Sequence, residues 1–113
     1  MNAPDRIRLQ HMRDAATEAR SFVRGRTRGD LDADRMLLRA LVKDIEIIGE
    51  AASRVSSEAQ EACPQLPWVD IIGMRNRLIH AYFDVNLDLV WETVQQDLPF
   101  LIAEIQQILD TTA

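Results

Sequence analysis

Apolar residues return every three or four positions along most of this chain, the spacing of one helix face and not the alternation of a strand. Leu9, Met12, Ala16, Ala19 and Phe22 or Val23 form the first stripe. Pro4 and Asp5 suit a first helical turn, one through its fixed φ, the other through negative charge at the positive end of the helix dipole. A first helix is expected from about Pro4 or Asp5 to Val23. The run Arg24-Gly25-Arg26-Thr27-Arg28-Gly29-Asp30 sets two glycines among charges and reads as a loop. The longest stripe follows, with Leu37, Leu41, Ile45, Ile48, Ala52 and Val55 at spacings of 4, 4, 3, 4 and 3. Met36, Ala40, Ile47 and Ala51 widen it, which predicts a broadly buried helix from a cap at Asp32 or Asp34 to about Val55. Ser57, with Gln60 three residues on, resembles the capping box of a short helix ending near Cys63.

Pro67 fits the first position of a third long helix, lined on one side by Trp68, Ile71, Ile72, Arg75, Leu78, Ile79 and Tyr82 and ending near 80–83. Asp84 or Asn86 can cap a fourth, with Leu87, Val90, Trp91, Val94, Leu98, Leu101, Ile102, Ile105 and Leu109 in register. Pro99 lies inside that register and predicts a kink near Asp97. No segment alternates like a strand. Short links between long helices imply an all-α fold, an antiparallel bundle of four to five helices. At 113 residues it is expected to form a single domain over 1–113.

Composition narrows the function classes. No apolar run is long enough to span a bilayer, no signal peptide is visible, and Cys63 is the only cysteine. The expectation is a cytoplasmic protein without membrane contact. Net charge is −5, against the basic balance usual for nucleic-acid binders. The charge is uneven. Residues 1–30 hold seven arginines, at 6, 8, 13, 20, 24, 26 and 28, against four acids, a local +3. A basic face for a phosphate-bearing ligand or an acidic partner is one reading of these arginines, and a solvated helix face is the other.

There is no Gly-rich phosphate loop, no zinc-ligand spacing and no nucleophile with a base beside it, so neither a metal nor a cofactor is expected. Glu46 and Glu50 share a helix face, but two carboxylates are a weak metal signal. What remains is Arg75-x4-His80-x-Tyr82. On a regular helix Arg75 and Tyr82 lie within about 20° of each other and His80 about 140° from Arg75. Arg75 and His80 can converge if the helix ends or loosens at His80, if Arg75 uses its full reach, or if two subunits meet there. Histidine can move a proton near neutral pH, and arginine offers a donor fork for a phosphate gaining charge. In the competing structural reading, Arg75 pairs with Glu46 or Glu50 and His80 caps the third helix.

Arg75-Asn76-x3-His80-x-Tyr82 resembles the Arg-x4-6-His motif of HEPN domains. The text around it is similar to the HepT-like toxins of that superfamily: Ile45-Glu46-Ile47-Ile48-Gly49-Glu50-Ala51-Ala52, Pro67-Trp68, Gly73-Met74-Arg75-Asn76, Ile79-His80-Ala81-Tyr82, and Val90-Trp91 before Asp97-Leu98-Pro99. The matches run from about residue 32 to 102. The resemblance implies a helical homodimer with a composite cleft, open to a higher assembly with an antitoxin. It implies the toxin of a type VII toxin–antitoxin system, a metal-independent RNA endonuclease. Its partner would be a minimal nucleotidyltransferase antitoxin that transfers AMP to Tyr82. Arg75 and His80 carry over as catalytic and Asn76 as supporting, and Arg77 is assigned to RNA binding. A non-catalytic alternative keeps the same fold, as a helical partner subunit that helps a nucleotidyltransferase hold its substrate.

Overall fold

Three helical stretches carry most of the core: α1 (Ala3–Phe22), α3 (Arg35–Ser53) and a run from Leu87 to Thr111. The computed structural model describes residues 1–81 and 84–112, with the side chains of His80 and Ala81 left out. The short α2 (Asp30–Ala33) lies between α1 and α3, and α4 (Ser57–Ala62), α5 (Trp68–Ile72) and α6 (Met74–Leu78) lie between α3 and the last stretch. The all-α expectation holds at that level, since the described chain is mostly helical.

The stripes read from the sequence face one another. Leu9, Met12, Ala16 and Ala19 of α1 meet Leu41, Ile45, Ile48 and Ala52 of α3, and all eight are fully buried. Each large aliphatic among them contributes roughly 1.5–3 kcal/mol. The last helical run closes the core with Val90, Val94, Leu98 and Ile105. Asp34 caps α3, accepting from the Leu37 N–H at 3.0 Å, and Asn86 caps α7 (Leu87–Glu92), accepting from Leu89 at 3.0 Å.

Four expectations need correction. The cap of α4 is Ser56, whose Oγ accepts from Ala59 N–H at 3.2 Å, not Ser57. Ser56 is fixed there by buried Asp5, which accepts from its N–H at 2.8 Å and its hydroxyl at 2.6 Å. The third long helix is two five-residue pieces, α5 and α6, joined at Gly73. Helix also stops at Leu78: β1 (Ile79–Ala81) pairs antiparallel with β2 (Asp84–Val85), two strands too short for any alternation to register. Finally, the irregularity expected near Asp97 is a π-helical turn, Thr93–Asp97, between α7 and α8 (Leu98–Thr111). Pro99 has no N–H to return to Gln95. Beside this turn, Arg20 of α1 donates to the Val94 carbonyl at 3.4 Å and to the Gln95 side chain.

One buried carboxylate stands apart. Asp44 of α3 is 2% exposed, and its Oδ2 has no partner among the described residues. Burial, then the neighbouring Glu18 carboxylate of α1, pushes its pKa up to about 7. A protonated Asp44 can donate to Glu18, whereas two carboxylates can only repel.

Candidate active site

The site stretch is built by an alternation of anchors and open positions. Trp68 fixes the start of α5: it is buried, and its Nε1 donates to the Cys63 carbonyl at 3.0 Å. Ile71 faces the core. Met74 and Leu78, four apart, bury one face of α6 and leave Arg75, Asn76 and Arg77 exposed between them. Gly49 sets how closely this unit approaches α3. A Cβ there would sit 3.3 Å from the Ile72 carbonyl oxygen and 3.4 Å from that of Ile71, so any larger residue would press the end of α5 slightly away from α3.

Arg75 leans across to α3. Its Nε lies 3.5 Å from Glu46 Oε2, with the two side chains 47% and 44% exposed. A half-exposed pair of this length is worth about 0–1 kcal/mol. It holds the guanidinium in place without occupying it, and an arriving phosphate can displace it. The Arg75–Glu46 half of the structural reading is therefore present, though Glu46 is not a core residue; Glu50 pairs with Arg54 at 2.8 Å instead. Arg77 turns the other way, donating to the Asp70 carbonyl at 3.0 Å and lying 3.5 Å from its carboxylate. Asn76 is exposed between them.

Past Leu78 the backbone opens to an extended conformation, φ −115° and ψ 110° at Ile79. The Asn86 N–H donates to the Leu78 carbonyl at 2.7 Å and ties this exit to the start of α7. The helix ends before His80, so His80 is freed from the 140° separation that a continuous helix imposes. Its side chain lies outside the described residues, and Tyr82 lies outside them altogether.

Two grooves flank α6. One, of about 590 Å³, runs between α3 and the β1–β2–α7 segment and includes Glu46 and Ile79. The other, of about 350 Å³, lies towards α8 and includes Asp70, Met74, Arg77 and Phe100. Arg75 reaches Glu46 on the first and Arg77 lines the second, so the structure does not bring the two arginines together. Among the described residues no group of three His, Cys, Asp or Glu side chains is placed to hold a metal ion. Cys63 is buried, and burial raises its thiol pKa, which leaves it unreactive.

A family model for "Ribonuclease HepT-like" proteins matches residues 12–108, nearly the whole chain. The chain belongs to the HepT-like ribonuclease family. A relative from Caldanaerobacter subterraneus, named "Putative RNase TTE0752", is 38% identical over 101 residues, covering 89% of this chain and 90% of that protein. "Probable ribonuclease HepT" of Thermococcus cleftensis is 31% identical over 100 residues, 88% of this chain and 91% of its own. No solved structure matches the chain. The HepT-like match takes in α3, the α5–Gly73–α6 unit and the helical run that closes the core. Among the described residues no helix is long and apolar enough to cross a membrane.

Proposed function

We propose that this chain, as a single domain, is the toxin of a type VII toxin–antitoxin system and cuts RNA without a metal ion. The observation that carries the reading is Arg75: an exposed guanidinium held only by a weak pair, five residues before a histidine that follows the end of the helix. His80 as general base takes the proton of a ribose 2′-hydroxyl, and the 2′-oxygen attacks the adjacent phosphorus. Arg75 stabilises the extra charge of the five-coordinate phosphorane, with Asn76 supporting it. The 5′-oxygen leaves with a proton from a second imidazole, giving a cyclic phosphate and a free 5′-hydroxyl. One chain offers one His80, so the reading includes a homodimer whose two-fold axis joins two Arg75/His80 pairs.

Arg77, on the neighbouring groove, contacts the strand beyond the cut. The antitoxin is a minimal nucleotidyltransferase that transfers AMP to Tyr82, two residues past His80. The added phosphate competes for Arg75 and blocks RNA. The compartment is the cytoplasm. Purified chain incubated with RNA and EDTA should release 5′-hydroxyl fragments, and His80→Ala should not. If the wild-type protein leaves RNA intact, the reading fails in favour of a non-catalytic partner subunit of the nucleotidyltransferase.

A further inference from the structure

Arg35, Arg39 and Lys43 follow one another at intervals of four along α3, and all three are exposed. Among the described residues none of them has an ion pair or a hydrogen bond. They line the groove of about 590 Å³ whose opposite wall is Ile79 and the β2 strand. We propose that this row is the track along which a single RNA strand enters the site, an inference that rests on the ribonuclease reading above.

Three features favour this use. Each step of four residues advances about 6 Å along the helix, a spacing on the scale of successive phosphates in an extended strand. The row slants by about 40° per step, so all three cations stay on one side of α3. Glu46, seven residues past Arg39, returns to within about 20° of it, and Glu46 is the residue that holds Arg75. A strand neutralised phosphate by phosphate along the row therefore arrives at the catalytic arginine. Leu38 and Val42 give the groove an apolar floor. Two carboxylates, Glu46 and Asp84, also line it, and three cations outnumber them. Cations in this arrangement suit a phosphodiester chain through charge alone, with no base recognition, so the track binds without sequence preference.

The test measures binding and salt dependence, not cleavage. A labelled single-stranded RNA is titrated with the His80→Ala chain, which keeps the RNA intact, and with the same chain carrying Arg35→Gln, Arg39→Gln and Lys43→Gln. Glutamine preserves helix propensity, and circular dichroism checks the fold. Affinity at moderate salt should fall at least tenfold. The slope of log affinity against log salt should become shallower by about 2, since each neutralised phosphate of a single strand contributes about 0.7. Arg26→Gln with Arg28→Gln, in the same background, should leave the slope unchanged. An unchanged slope in the triple variant overturns the track, and so does loss of binding to an acidic protein partner alone. If RNA binds through the row but the wild-type chain never cuts it, the track stands and the nuclease reading falls.

Discussion

Arg26 and Arg28 lie in the most basic run of the sequence, yet each is surrounded by carboxylates. Arg26 pairs with Asp30 at 3.3 Å and Asp34 at 2.8 Å, and Arg28 with Asp32 at 2.9 Å and Asp88 at 2.6 Å. Arg35, Arg39 and Lys43 are spread over nine positions, form no run, and stand without partners among the described residues. Two other N-terminal arginines are held by the backbone instead: Arg6 donates to the Leu109 and Thr112 carbonyls at the end of α8, and Arg20 donates into the π turn. Charge density along a sequence thus says little about charge available to a ligand. What decides it is whether an acceptor of the protein itself lies within reach. A net charge of −5 still leaves room for a local basic row, because Asp30, Asp32, Asp34 and Asp88 pair with Arg26 and Arg28 and not with the cations of α3.

The sharpest separation of held from open charge is Arg75→Ala. An open guanidinium acting on the transition state should cost cleavage about 10²–10³-fold, while stability shifts by less than about 1 kcal/mol. Single-turnover cleavage and urea unfolding on the same sample measure both. A large loss of stability would put Arg75 among the structural arginines and end the contrast.

Asp44 is the extreme of a charge the fold confines. Its folded pKa is raised to about 7 against an unfolded value near 3.8, so the folded state holds an extra proton between those pH values. Stability from this group is fully present below pH 3.8 and is lost as pH rises towards 7, after which it stays flat. Asp44→Asn should therefore stabilise the protein at pH 8 by a few kcal/mol relative to wild type, with the gain shrinking towards pH 5. Denaturant midpoints at several pH values decide it; a gain that does not depend on pH would place the cause outside the Asp44 proton.

Asp5 runs in the opposite direction. Bonds from the Ser56 hydroxyl and N–H hold its carboxyl below the usual carboxylate range, so its contribution is present above about pH 3.8 and is lost as pH falls through the depressed value. Asp5→Ala should cost about 1–2 kcal/mol at pH 7, because two partly buried donors of Ser56 lose their acceptor. An equally stable variant would show that water replaces the carboxylate and that this charge is not held at all.

The long helices were legible because their stripes repeat, and the Asp34 and Asn86 caps because each bonds a residue three positions on. Where local reading failed, the cause sits far along the chain. Ser56 is chosen over Ser57 by an aspartate 51 residues away, and Arg28 is pinned by an aspartate 60 residues away. The exit at Leu78 belongs to the same class, since its carbonyl accepts from the Asn86 N–H at the start of another element. In the candidate site, the Arg75–Glu46 pair was one of the alternatives the sequence offered. The α3 row left a signal too, three cations at a spacing of four, but it is a weak one until the groove beside it is seen.

Glu46 stands on the boundary between the two kinds of charge, and Glu46→Gln measures on which side Arg75 falls. The pair is half exposed and 3.5 Å long, so removing it should change stability by less than about 0.5 kcal/mol. If Glu46 merely competes with phosphate for Arg75, the variant binds RNA up to about fivefold more tightly, seen as a lower KM with kcat unchanged. That outcome keeps Arg75 an open cation whose carboxylate neighbour is a placeholder for the substrate. The opposite result, a fall in kcat with KM unchanged, would mean that Glu46 aims the guanidinium at the phosphorane. Arg75 would then resemble Arg28, useful because an acid fixes it. The division between open and held charge would no longer run between α3 and the N-terminal arginines, but through the site itself.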